Sequence, residues 1–299
     1  MRLQPLSHLS GGSSAPGRAC PRHGPSERIG IVWVWGRLTS GRPGRQGRDA
    51  ERSLEGVGAE AVWSGLVVVD KPVGLSSMDV VRRVRRSASR GAGVKKTKCG
   101  HAGTLDPLAS GVVVCGIGRA TKSLDRLMRQ TKVYETEVDL SAFTSTEDRE
   151  GPRTEVAVET PPDGAAVAAA CAAMVGPAVE QVPPRFSAIH VDGQRAYELA
   201  RRGEDVKMRP RRVRIDAVEL LGYGWPIARL RVVCGKGTYI RSLGRDLGVA
   251  LGTGGHLASL RRTAVGECRV EDALPIERFD TPLKVGELLP APGRIERGQ

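Results

Sequence analysis

The densest run of residue types able to do chemistry is residues 100–111, GHAGTLDPLASG. Its glycines let backbone approach a ligand closely. Asp106-Pro107 sets a carboxylate at a turn, where it could face a cleft. Taken alone, the pair reads more readily as an Asx turn, and His101 alone is ambiguous. A second candidate is Gly235-Lys236-Gly237-Thr238-Tyr239-Ile240-Arg241. It places Tyr239 and Arg241 at a strand-to-helix junction, where an arginine could hold a buried carboxylate ionised. The plainer alternative is a capped helix with an exposed arginine.

Two basic runs accompany these motifs. Residues 82–98 carry eight Lys/Arg and no acid, and residues 195–214 carry eight against three acids. Each such charge could contact a phosphate and release its counterions. A solvated face is the alternative, but eight like charges repel one another. Lys plus Arg exceeds Asp plus Glu by 46 to 33, so the net charge is +13. That balance favours a polyanionic partner.

Other classes find little support. Three Phe, four Tyr and four Trp are too few for a broad platform for single-stranded bases. The six cysteines form no C-x-x-C pair and have no histidine at ligand spacing, so no metal site is expected. Scattered cysteines of this kind fit a reducing cytoplasm. There is no run long and apolar enough for a membrane helix. P-loop, G-x-G-x-x-G, H-E-x-x-H and G-x-S-x-G motifs are absent.

The elements that must position these residues read as follows. Residues 66–69 form a buried strand before Asp70-Lys71-Pro72. Ser76 or Ser77 caps a helix with Val80, Val81, Val84 and Ala88 on one face. Residues 112–117 form a strand. Residues 121–130 form a helix with Leu124, Leu127 and Met128 together. Residues 133–140 form an alternating strand with Tyr134, Thr136, Val138 and Leu140 on one face. An Ala-rich helix over 165–175 ends at Gly176-Pro177. Strands follow at 213–220 and 230–234, and Ile240, Leu243, Leu247 and Leu251 mark a helix. Strands and helices interleave without a βαβ period, which favours an α+β or mixed α/β sheet over a Rossmann or barrel fold.

Residues 1–60 are different in kind: 23 of the 60 are Gly, Ser or Pro, with nine Arg and no Lys. They read as a disordered extension or as the product of a start codon upstream of the true one, near residues 57–62.

Seven pieces in order resemble the bacterial tRNA pseudouridine-55 synthases, the TruB family. They run from residues 64–77 (with Val69-Asp70-Lys71-Pro72) through the 100–111 loop, Lys132-Val133-Tyr134 and residues 144–151. Residues 181–203, Gly237-Thr238-Tyr239-Ile240-Arg241 and residues 254–262 complete the set. The resemblance spans roughly 62–275. It implies a pseudouridine synthase fold of α+β class, with a mixed, largely antiparallel central sheet flanked by helices and loops. It also implies isomerisation of the T-loop uridine of tRNA to pseudouridine without cofactor or metal, by a monomer that needs no guide RNA.

The same resemblance makes Asp106 the catalytic aspartate, Arg241 its partner, and Tyr134 the ring that stacks on the extruded uracil. Tyr239 and Leu260 would wall the pocket. Lys71 would support the loop or the base, and His101 would help hold RNA with its target nucleotide flipped out. Residues 181–214 match the family's tRNA-clamping insertion, which separates it from guide-RNA-dependent relatives. The catalytic domain is thus expected over 61–275, with 276–299 a short tail rather than the PUA domain many members carry. Two departures stand out: Ser145 replaces a usual Asp, and Arg185-Phe186-Ser187 replaces a usual Met-Tyr-Ser. A tRNA-binding folding chaperone is the alternative reading. A carboxylate glycosidase would want two facing carboxylates, and only Asp106 sits in a motif.

Overall fold

The structure is a computed structural model and describes residues 63–291 apart from 188, 192 and 205. The reading of residues 1–60 lies outside the described residues. A ten-stranded sheet organises the chain, in the order β14-β1-β3-β12-β4-β11-β10-β7. Its strands are β1 (Gly65–Lys71), β3 (Ser110–Ile117), β4 (Lys132–Asp139), β7 (Gly176–Gln181), β10 (Arg211–Gly224), β11 (Ile227–Cys234), β12 (His256–Val265) and β14 (Leu274–Pro275). Two short strands join it off this path: β2 (Cys99–His101) on β3 and β13 (Cys268–Arg269) on β12. β5 (Ala142–Thr144) pairs with β6 (Arg153–Glu155), and β8 (His190–Val191) with β9 (Gln194–Arg195), as separate hairpins. Only the β1–β14 and β3–β12 pairings are parallel, so the sheet is mixed and largely antiparallel.

Among the described residues five α-helices accompany the sheet: α1 (Ser77–Gly91), α2 (Leu124–Met128), α3 (Gly164–Ala173), α4 (Ala196–Arg201) and α5 (Ile240–Leu251). Residues 66–69 of β1 are apolar because both faces of the strand are covered. Val67 and Val69 join the main core with α1 and α5, whereas Leu66 and Val68 join a smaller core with Val112, Val114 and Leu127. α1 starts at a capping box: the Ser76 hydroxyl accepts from Asp79 N–H, and the Asp79 carboxylate accepts from Ser76 N–H. Val80, Val81, Val84 and Ala88 are its buried stripe.

The helix expected over 121–130 is broken. Residues Gly118–Ser123 form a 3-10 turn and only Leu124–Met128 is α-helical. No side chain caps α2 at Ser123, and the tight turn takes up the residues that would have lengthened it. Residues 276–291 are bound into the fold. Ile276, Phe279 and Leu283 are core residues, and Leu289 exchanges backbone hydrogen bonds with Leu66.

The two halves of the sheet meet at β3 and β12, through Ser110 opposite Arg261 and Gly111 opposite Arg262. Gly111 has φ +106°, and a Cβ there would lie 2.2 Å from the Arg262 carbonyl oxygen. The strands approach this closely only with glycine at that position. The loop carrying Asp106 leads into this seam.

Candidate active site

At the seam lies a cleft of about 750 Å³, within the usual range for ligand sites. Asp106, Tyr134, Tyr239, Arg241 and Leu260 all line it. Five of the seven residues singled out from sequence therefore share one wall system, although they span more than 150 positions of the chain.

Asp106 sits on the loop between β2 and β3. Its backbone carbonyl accepts from Ala109 N–H at 3.1 Å, which makes the turn expected of Asp-Pro. Its carboxylate is not spent on that turn. The side chain is 33% exposed, and Oδ2 lies 2.9 Å from Arg241 Nη2. Arg241, on the first turn of α5, is 5% exposed. Its guanidinium also donates to the carbonyls of Thr146 (3.2 Å) and Phe186 (3.0 Å), and Nη1 lies 3.6 Å from the Asp148 carboxylate. The arginine is thus fixed from three directions, with one edge aimed at Asp106. The pair sets a carboxylate that is open to the cleft against a buried, fixed guanidinium.

The loop behind Asp106 is held from below. Ser77, buried beside the cap of α1, donates its hydroxyl to Leu105 O (3.0 Å) and accepts from Leu105 N–H (2.8 Å). Lys71 is fully buried and does not line the cleft. Its ammonium donates to the carbonyls of Pro72, Leu75 and, at 3.5 Å, Pro107. Burial lowers its pKa to about 8, against the opposing pull of Asp106. Of the two roles implied for Lys71, this geometry serves the loop. Gly74 N–H adds a 2.7 Å bond to Pro107 O.

Arg262 was only a member of a motif in the sequence, yet it is the largest fully buried side chain. It donates to Val112 O (2.7 Å), Thr104 O (3.2 Å) and Gly103 O (3.2 Å), and it lines the cleft. Asp148 is a second residue that sequence reading missed. Four residues in a row, 147–150, are charged, and nothing in their types says that Asp148 alone is nearly fully buried. Its carboxylate accepts from Thr146 Oγ1 (2.6 Å) and Glu150 N–H (3.0 Å). Ser145, where the family usually has Asp, is exposed.

Tyr134, on β4, forms another part of the wall, and burial raises the pKa of its phenol. The ring is therefore neutral near pH 7 and offers an apolar face with an O–H donor. Tyr239 is fixed differently. Gln181, at the end of β7, donates to Tyr239 O (3.0 Å) and accepts from Tyr239 N–H (2.9 Å), while the Arg211 guanidinium lies 4.6 Å from the ring centroid. His101 stands at the end of β2, outside the lining of the cleft. Burial and the neighbouring Arg262 lower its pKa, so its ring is neutral near pH 7. Phe186 and Tyr197, from the segment between β7 and β10, complete the wall. Among the described residues no group of His, Cys, Asp or Glu is placed to hold a metal ion. Among the same residues no helix is long and apolar enough to cross a membrane.

Comparison with known proteins places this site in a family. Residues 91–240 match the family model described as TruB family pseudouridylate synthase (N terminal domain). Residues 241–283 match that of the tRNA pseudouridylate synthase B C-terminal domain. A Phocaeicola vulgatus protein named tRNA pseudouridine synthase B is 46% identical over 213 residues, covering 70% of this chain and 89% of its own. Its namesake from Mycobacterium sp. (strain KMS) is 48% identical over 220 residues, covering 72% of each. Among solved structures, a chain of a Cbf5-Nop10-Gar1 complex superposes with a TM-score of 0.54 at 26% identity. That match covers 73% of this chain and 54% of the Cbf5-complex chain, so this chain spans about half of that structure's length. On the matched residues and the extent of these identities, the chain belongs to the TruB family of pseudouridylate synthases.

Proposed function

We propose that the protein isomerises the T-loop uridine of tRNA (position 55) to pseudouridine, with Asp106 as the nucleophile. The observation that carries this reading is the Asp106–Arg241 pair. It is a carboxylate open to a cleft, held at 2.9 Å by a buried arginine that is itself anchored to two loop carbonyls. The reaction breaks the bond from C1′ to N1, forms one from C1′ to C5, and moves the C5 proton to solvent while N1 gains one. Atoms and electrons balance without an oxidant or a cofactor. Attack by Asp106 on the sugar or on the base both require an ionised carboxylate and a nucleotide taken out of its stack.

Tyr134 and Leu260 then flank the base, Tyr239 closes the pocket beneath the insertion, and Lys71 holds the loop. His101, neutral, contacts RNA by shape and hydrogen bonding rather than by charge. The insertion between β7 and β10 supports direct reading of tRNA by a cytoplasmic monomer without a guide RNA. So do the 46–48% identities to proteins named tRNA pseudouridine synthase B, against 26% for the Cbf5-complex chain.

The test is pseudouridine mapping on an unmodified tRNA transcript, wild type beside Asp106→Asn. The expected result is one new pseudouridine in the T-loop, made by wild type only. Absence of pseudouridine with tRNA binding intact would overturn the reading in favour of a tRNA-folding chaperone.

A further inference from the structure

The far half of α1 and the loop that follows it form a groove that the reaction does not use. Its wall includes Arg85, Arg86, Ser89, Val94, Lys95 and Lys96, and no carboxylate lines it. Two other cations of the wall are already engaged: Arg82 pairs with Asp79, and Arg90 donates to the carbonyls of Phe279 and Asp280. Arg85, Arg86, Lys95 and Lys96 have no ion pair or side-chain hydrogen bond among the described residues.

These four charges are held in place rather than scattered. The loop folds back on the helix, with Val94 N–H on Ser89 O at 3.0 Å and Thr97 N–H on the Ser89 hydroxyl at 2.9 Å. A concave, pre-organised group of unneutralised cations is a site for a polyanion. One exposed apolar residue, Val94, is too little to seat the groove in a bilayer.

The position of the groove names the polyanion. α1 is rigidly joined to the catalytic loop through Ser77, and Ser76 lines the catalytic cleft. Fifteen residues of helix rise about 22 Å, so the groove lies on the order of 10–20 Å from the cleft along the helix axis. The insertion carries its own exposed basic residues, Lys207, Arg209 and Arg212, next to Arg211 in the cleft wall. It forms one backbone track from the cleft, and the α1 groove forms another on a different element.

We propose that the α1 groove is a second RNA-backbone site, which takes tRNA phosphates outside the T-arm while the insertion takes the arm itself. This rests on tRNA being the substrate.

The test compares steady-state kinetics on a full-length tRNA transcript and on an isolated T-arm hairpin. The variants are Lys95→Glu/Lys96→Glu, in an exposed loop, and Arg85→Gln/Arg86→Gln. The expected result is a KM for full-length tRNA raised about tenfold with kcat unchanged, and hairpin kinetics within about twofold of wild type. The slope of log affinity against log salt on full-length tRNA should fall by about two for each pair. Equal losses on both RNAs, or none on either, would overturn the proposal. So would lost binding to anionic phospholipid vesicles with unchanged tRNA kinetics. If wild type modifies neither RNA, the isomerase reading fails separately, and filter binding of the same transcript by wild type and variants still decides the groove.

Discussion

The wall of the cleft that carries Asp106 and the wall formed by the insertion are built on different principles. Behind Asp106, buried side chains grip backbone: Ser77 holds Leu105, Lys71 holds Pro107, and Arg262 holds Gly103, Thr104 and Val112. Each donor side chain is buried, so losing its acceptor leaves a buried polar group unsatisfied. Between β7 and β10 the described residues form only a hairpin of two two-residue strands and a six-residue helix, and that hairpin does not join the main sheet. Among the described residues its ties to the site include Gln181 to the Tyr239 backbone, Phe186 O to Arg241, and Val182 O to Arg245. A segment without a strand in the main sheet is of the kind from which binding regions are drawn. The loop of Asp106 is gripped by buried donors, whereas the segment between β7 and β10 stands apart from the main sheet.

Substitutions can break or sharpen this contrast. The largest effect should come from Asp106→Asn, which should lower turnover by on the order of 10³-fold or more while tRNA affinity stays within a few-fold. Single-turnover kinetics beside equilibrium binding check both halves, and a matched fall in affinity would make Asp106 a binding residue instead. Arg241→Gln should come next. It leaves the buried Asp148 carboxylate without its cation and should destabilise by about 3 kcal/mol as well as abolish turnover. Denaturant unfolding with an unchanged midpoint would show that Asp148 is satisfied by Thr146 and Glu150 alone.

Ser77→Ala and Gln181→Ala make a matched pair, one on each wall. Each removes a side chain that both donates to and accepts from one residue's backbone, at a cost of roughly 1–3 kcal/mol. The Ser77 change should fall mainly on kcat and the Gln181 change mainly on KM. The reverse split would remove the distinction between a fixed wall and a substrate-fitting one.

The smallest effect concerns pH. Burial lowers the pKa of Lys132 to about 8; its ammonium is donated to the carbonyls of Met128 and Gln130. Between pH 8 and about 10.5 the unfolded chain binds more protons at this residue than the folded one. The contribution of Lys132 to stability therefore rises with pH across that window. Thermal unfolding of wild type and Lys132→Met should diverge from pH 8 upward, in favour of wild type. Parallel curves would show that the folded-state ammonium keeps an ordinary pKa.

Much of the local structure was legible. A serine at 76 or 77 ahead of a helical apolar stripe announces the start of α1, where the structure makes Ser76 the cap, and the apolar run at 66–69 announces a buried strand. β12 was not legible as a strand, because Ser259, Arg261 and Arg262 interrupt any apolar alternation. It is nonetheless the strand that joins the two halves of the sheet. Arg262 is tolerated there only because three carbonyls, more than 140 positions earlier in the chain, accept its protons. Asp106, Tyr134, Tyr239, Arg241 and Leu260 were legible as a set through motif order and not through spacing, and the structure brings them to one cleft. Lys71 and His101 belonged to the same set and lie outside its lining. Types and order do not report which side chains face a cavity.

The sequence by itself determined the family, the order of the motifs, the start of α1 and the excess of positive charge. These depend on residue identity and near neighbours, which the chain states outright. Only the tertiary structure decided that Arg241 shares itself between Asp106 and Asp148, that Lys71 grips the loop, and that four cations beside α1 stand unpaired. The physical reason is that charge and hydrogen-bond pairing in a buried site depend on distance and on exclusion of water. Both are set by segments that meet only when the sheet closes.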